Sequence, residues 1–216
     1  MSINWNMYLS RYQQTRGGLF FGALEDEYDC HLVLTEGEET PLLVWIDTDP
    51  GDGCYEQNIL ARAMVKLDGV YDLHIHPRTF MGGRLMGMAS LVRGGLDYEY
   101  SEATKNRIIT CTDGDFCRRV LDDEGVRFGL STWKQVYLKI RPTHKKASGW
   151  HVVELTDINF EGSPVHGSHW ICASTLNALR TKSEEDYNAA SEHFNARMDM
   201  FLDFIRAACR AAGAHK

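Results

Sequence analysis

"WKQVYLKIRP", Trp133–Pro142, decides the fold class. Val136, Leu138 and Ile140 alternate with Gln135, Tyr137, Lys139 and Arg141, the period of two that marks a strand with one dry and one wet face. "HKKASG" (144–149) turns the chain, and "WHVVELT" (150–156) pairs back as the second arm of a hairpin. A half-wet strand in a hairpin belongs to an antiparallel sheet.

Reading outward toward the N terminus, "NRIITCT" (106–112) is a strand. It runs into "DGDFCRRVLDD" (113–123), a short helix capped by Asp113 with Phe116, Val120 and Leu121 facing inward. "GGRLMGMASLVRGG" (82–95) sets Leu85, Met88 and Val92 at helical spacing, against an interior Gly87 that disfavours helix by roughly 1 kcal/mol. "NILARAMVKL" (58–67) carries both signals. Ile59, Ala61, Ala63, Val65 and Leu67 alternate, while its Ala, Leu, Arg, Met and Lys content favours helix. The strand reading is preferred, because Asp68-Gly69 offers a hairpin turn into "VYDLHI". Further back, Gly18–Leu24, Asp29–Thr35 and Pro41–Asp47 are short apolar or alternating runs separated by "EDEY" and "EGEE", the pattern of a three-stranded antiparallel meander.

Two helices frame these strands. Residues 1–16 form an N-terminal helix with Trp5, Tyr8, Leu9 and Tyr12 on one face. Ser183 with Glu184, Glu185 and Asp186 starts a C-terminal helix over 183–212. Tyr187, Phe194, Met198, Phe201, Ile205, Ala208 and Ala212 recur along it at threes and fours, and Leu202, Phe204 and Cys209 widen the stripe. A stripe that broad docks on a sheet or into a partner's helices rather than forming a two-stranded coiled coil. The expectation is one α+β domain over 1–216, with a β-rich body at 18–156, a mostly antiparallel sheet, short helices, and the long amphipathic C-terminal helix docked on it.

Composition limits the function classes. The chain has 216 residues, 44% of them hydrophobic and 25% charged, which are globular proportions. No run approaches the ~20 apolar residues a membrane span needs, and the N-terminal residues lack the basic-then-apolar order of a secretory signal. Six widely spaced cysteines with no C-x-x-C read as reduced thiols in a cytoplasmic protein. A net charge of −7 argues against nucleic acid as a partner. From Gly17 to Ala61 there are eleven acids and no Lys or Arg, leaving 19 acids against 23 bases elsewhere, a balance of +4. Such asymmetry reads first as a solvated acidic face that complements the protein's own basic surface, and second as a hint of a protein partner or self-association.

Two stretches carry chemistry-bearing residues. "VWIDTDPGDGCYE" (44–56) resembles the opening of the nucleoside hydrolase signature at Asp47, Thr48, Asp49, Pro50 and Gly51, a family that implies carboxylates holding calcium. It departs at Gly53 and Cys54, where that signature has acids, and reads otherwise as an acidic β-turn with Pro50-Gly51 at its corner. "YDLHIHPR" (71–78) is similar to the H-x-H strand of metal-dependent amidohydrolases and of the PHP phosphoesterases. In a strand, Asp72, His74 and His76 share one face, and two imidazoles so spaced can grip one divalent metal such as zinc. His166 and His169 in "VHGSHW", with Asp47 and Asp49, are the candidate further ligands.

The adopted reading is a non-catalytic interaction or self-association domain without a cofactor. It would use the acidic N-terminal face or the C-terminal helix and have no nucleic-acid or membrane partner. The alternative is a metal-dependent hydrolase with His74, His76, Asp47, Asp49, His166 and His169 at its centre. Each catalytic motif is incomplete where its chemistry needs it whole, and this places the hydrolase second.

Overall fold

Alternation along the strands becomes a single sheet. The computed structural model describes residues 5–22, 30–35, 37–49, 56–78, 103–144, 149–157 and 184–213. Within them, the side chains at 5–6, 47–49, 56–57 and 184–187 are not described. In chain order the elements are α1 (Trp5–Arg16), β1 (Leu19–Phe21), β2 (His31–Leu34), β3 (Leu42–Asp49), β4 (Glu56–Lys66), β5 (Leu73–Pro77), β6 (Arg107–Cys111), α2 (Gly114–Asp122), α3 (Glu124–Thr132), β7 (Val136–Pro142), β8 (Trp150–Asp157) and α4 (Glu184–Gly213). The eight strands form one antiparallel sheet in the order β1-β2-β3-β4-β8-β7-β5-β6, and α4 contacts it. The class is α+β.

The chain divides into two compact units, each made of an earlier and a later stretch. The first is Met1–Ala61 with Asp157–Leu202. Its strands form the expected meander: Leu19 pairs Val33 between β1 and β2, and Leu32 pairs Val44 between β2 and β3. Alternate residues Leu32, Leu34, Leu42, Val44 and Ile46 are buried. α1 lies against β1 and β2 and buries Tyr8, Leu9 and Tyr12, as its sequence pattern requires. The Tyr8 ring meets Phe194 of α4 with centroids 5.6 Å apart. Tyr12 donates its hydroxyl hydrogen to Asp199 Oδ1 at 2.7 Å, and Arg16 reaches Oδ2 of the same carboxylate at 2.8 Å. α1 ends on two glycines with positive φ, Gly17 (82°) and Gly18 (96°). A Cβ at Gly18 would stand 2.6 Å from the Val33 carbonyl oxygen, so both conformation and close approach require glycine there.

The second unit is Arg62–Thr156 with Asp203–Lys216. β7 buries Val136, Leu138 and Ile140 and leaves the residues between them part-exposed, as its alternation predicts. Asp113 caps α2, accepting from the Phe116 amide at 2.7 Å, and Phe116, Cys117, Val120 and Leu121 are buried. α3 follows at once. Asp123 ends one helix and caps the next, accepting from the Val126 amide at 3.0 Å. No element is predicted from the sequence over 124–132, because Gly125 and Gly129 depress its helix propensity. Both glycines lie under α4: a Cβ on Gly125 would meet Ala207 Cβ at 2.7 Å, and one on Gly129 would enter the Phe204 ring.

The preferred strand reading of 58–67 agrees with β4, but the hairpin expected after it does not form. β4 neighbours β3 and β8, whereas β5 neighbours β7 and β6. A tight hairpin of this kind needs positive φ at its central residues, and neither Asp68 nor Gly69 has it. The backbone donors are instead taken elsewhere. Leu67 N–H goes to the Gly149 carbonyl, Tyr71 N–H to His151 Nε2 at 3.0 Å, and Asp72 N–H to Thr112 Oγ1 at 3.0 Å. Tyr71 stacks on Phe116, centroids 4.4 Å apart, and carries the chain across to β5. β3 also runs two residues beyond its predicted end, adding Thr48 and Asp49 to the strand. Pro50, Gly51 and the predicted helix at 82–95 lie outside the described residues.

Candidate functional site

β5 alternates cleanly, with Leu73, Ile75 and Pro77 buried and His74 and His76 on the other face. His74 stands opposite Thr110 on β6 and opposite Lys139 on β7. Lys139 Nζ lies 3.3 Å from Glu154 Oε1 on β8, and Arg62 on β4 closes Glu154 Oε2 through Nε and Nη2, both at 2.7 Å. Thr110, His74, Lys139, Glu154 and Arg62 thus make one polar row across five strands of the second unit. Strand period and register generate it, since every member faces away from the apolar core side of its own strand.

The charges in the row are unequal in depth. The Glu154 side chain is 6% exposed, while Arg62, Lys139 and Arg141 are 42%, 36% and 49% exposed. Burial pushes the Glu154 carboxyl up, but Arg62, by hydrogen bond and charge, and Lys139 outweigh it and hold the group below the usual carboxylate range. His76 stacks on Tyr137, centroids 5.9 Å apart and planes 8° apart. Burial, reinforced by the charges of His74 and Lys139, holds its imidazole below the ordinary value. His74 Nε2 lies 2.9 Å from Asp72 Oδ1, a pair formed by the two-residue repeat along one strand face.

Of the sequence-derived metal candidates, His74 and His76 share a face as expected. Asp47 and Asp49 lie at the end of β3 in the first unit, with side chains outside the described set. His166 and His169 are outside the described residues altogether. Among the described residues, no group of three or more His, Cys, Asp or Glu is placed to hold a metal ion.

Sequence reasoning missed two buried polar centres. Arg107 is buried at the start of β6, and its guanidinium donates to the carbonyls of Ala103 (3.2 Å), Leu130 (2.7 Å), Val136 (3.1 Å) and Trp133. His151 is fully buried on β8, with Nδ1 3.0 Å from the Gly149 carbonyl and Nε2 accepting the Tyr71 amide. Those partners fix the neutral tautomer protonated on Nδ1. Both residues act on backbone and hold the structure. The cysteine reading as packed thiols extends to a pair: Cys117 is hydrogen-bonded to Cys111, whose thiol donates to the Asp113 carbonyl at 3.1 Å. That bond and burial push the Cys117 thiol up, so it stays protonated and is no nucleophile.

Comparison of the chain with protein-family models, with curated proteins and with solved structures found no match. No helix among the described residues is long and apolar enough to cross a membrane.

Proposed function

We propose that the protein is a non-catalytic interaction domain of the cytoplasm that self-associates through β1. The observation that carries this reading is the exposure of Leu19 (57%) and Phe21 (55%) on the three-residue strand that ends the strand order among the described residues. A terminal strand presents backbone donors and acceptors, and apolar side chains along it favour pairing with another strand. α4 does not offer an equivalent surface, because Phe194, Met198, Phe201, Leu202, Phe204 and Ile205 are all buried within the chain. The occupant is a second copy, its own β1 paired antiparallel about a two-fold axis, so that one patch serves both sides. Buried free thiols at Cys30, Cys111 and Cys117 support a reducing compartment.

Light scattering over a concentration series tests it. The wild-type chain is expected to be a dimer whose melting temperature rises with concentration, and Leu19→Lys with Phe21→Lys to be a folded monomer with an unchanged circular dichroism spectrum. Both side chains already face solvent, which is why the substitutions spare the fold. A wild-type chain that stays monomeric at the highest concentration overturns the reading.

A further inference from the structure

We propose that Cys111 and Cys117 are a dithiol site that a hydroperoxide closes to an intramolecular disulfide and a small thiol reopens. Cys111 is the last residue of β6, and Cys117 lies in the N-terminal half of α2. Asp113, the cap of α2, holds the two together. Its carbonyl accepts from Cys111 Sγ at 3.1 Å and from the Cys117 amide at 3.0 Å. With both residues gathered on one oxygen, Cys117 Sγ reaches Cys111 Sγ and hydrogen-bonds to it. Neither thiol is in a disulfide. Their bonding requires no encounter between distant segments, only closure of a contact that the reduced fold already makes.

The two sulfurs are unequal. Cys117 is 0% exposed and Cys111 7%, so a reagent from solvent meets Cys111 first. Cys111 is also the better nucleophile. The hydrogen bond from Cys117 is the largest influence on its thiol, and with the backbone of Asp113 and Thr112 it outweighs burial, holding the group below its ordinary value. A reagent as small as hydrogen peroxide suits so narrow an approach. The Cys111 thiolate attacks one peroxide oxygen, the O–O bond breaks, and hydroxide leaves as water with the proton that Cys111 gave up. Cys111 is then a sulfenic acid. In the reduced pair, the hydrogen bond to Cys111 is the first cause that keeps Cys117 protonated, and that cause ends with this step. Cys117 Sγ attacks the sulfenic sulfur, and the S–O bond breaks as a second water departs with the Cys117 proton. Two thiols and one peroxide thereby give one disulfide and two waters, a two-electron oxidation. Two equivalents of a small thiol reverse it by exchange and become a disulfide themselves.

The test treats the reduced full chain with hydrogen peroxide, removes the oxidant with catalase, alkylates in urea with N-ethylmaleimide and weighs the tryptic peptides. Cleavage after Arg107 and Arg118 leaves both cysteines on one peptide, 108–118. That peptide should lose two hydrogens and take up no maleimide while part-exposed Cys209 is still alkylated. Reduced glutathione should restore both of its alkylation sites. Cys117→Ala should stop at the sulfenic acid, seen as a dimedone adduct on Cys111, and Cys111→Ala should leave Cys117 fully alkylated. A wild-type peptide 108–118 that keeps both maleimides after Cys209 has been oxidised overturns the proposal. So does a disulfide there that glutathione does not reopen. Those two readings come from the wild-type chain and stand whether or not either variant folds. Self-association is untouched by the result, because β1 lies in the first unit and this pair in the second.

Discussion

Arg107 shows how much of the second unit hangs on one side chain. Its guanidinium caps the last carbonyls of α3, at Leu130 and Trp133, and ties them to Val136 at the start of β7 and to Ala103 before β6. An ion buried in this way is tolerable because its hydrogens meet carbonyl oxygens, and the negative end of the α3 dipole adds to the attraction. Replacing it by methionine keeps volume and strands those carbonyls, each costing about 1–3 kcal/mol where water cannot reach. Some water will reach them, so Arg107→Met should lose about 3 kcal/mol of unfolding free energy in urea. A loss under about 1 kcal/mol would mean that the carbonyls find other partners. Nothing in "NRIITCT" announces this role: an arginine at a strand start is ordinarily solvated, and three of its four acceptors lie 23 to 29 residues away in the chain.

At the scale of elements, the polar row makes stability depend on pH in one direction. The His76 imidazole sits below its ordinary 6.5 in the fold, so the unfolded chain takes the proton first and stability declines as pH falls below that value. The Glu154 carboxyl sits below its ordinary 4.5, so its contribution is whole above that value and is lost as pH falls through the folded one. Urea midpoints should fall from neutral pH to about pH 5 and again toward about pH 4, and His76→Gln should flatten the first decline alone. A His76→Gln profile that overlays the wild type would remove His76 from the account. Elements like these were legible where two local signals agreed. Alternation at Val136, Leu138 and Ile140 and the cap at Asp113 each define an element without help from the rest of the chain. α3 was not legible, because Gly125 and Gly129 lower helix propensity and their reason, the approach of Ala207 and Phe204, lies some eighty residues downstream. The path of 67–72 was not legible either: Asp68-Gly69 has hairpin chemistry, yet His151 and Thr112, remote in sequence, take the amides that would steer it. For the site, the shared face of His74 and His76 followed from strand period alone. Their neighbour Lys139 and its partner Glu154 needed the register between strands, which no single segment encodes.

For the molecule as a whole, α4 supplies core to both units. Residues up to Leu202 give the first unit Phe194, Met198, Phe201 and Leu202, and those from Asp203 give the second Phe204, Ile205 and a run of buried alanines. At about 1.5–3 kcal/mol for each large buried side chain, either share rivals the entire stability of an ordinary domain, about 5–15 kcal/mol. A chain ending at Lys182 should therefore show no cooperative thermal transition by calorimetry, rather than a clean monomer. A sharp transition in that truncated chain would mean the strands hold without the helix. The tie between Tyr12 and Asp199 spans 187 positions. At the usual pace of synthesis, about 5–20 residues per second, α1 emerges roughly 10–40 s before the segment that covers it. Throughout that interval Tyr8 and Tyr12 lack their partners Phe194 and Asp199, so the newborn chain is a natural client for a holding chaperone until its last helix arrives.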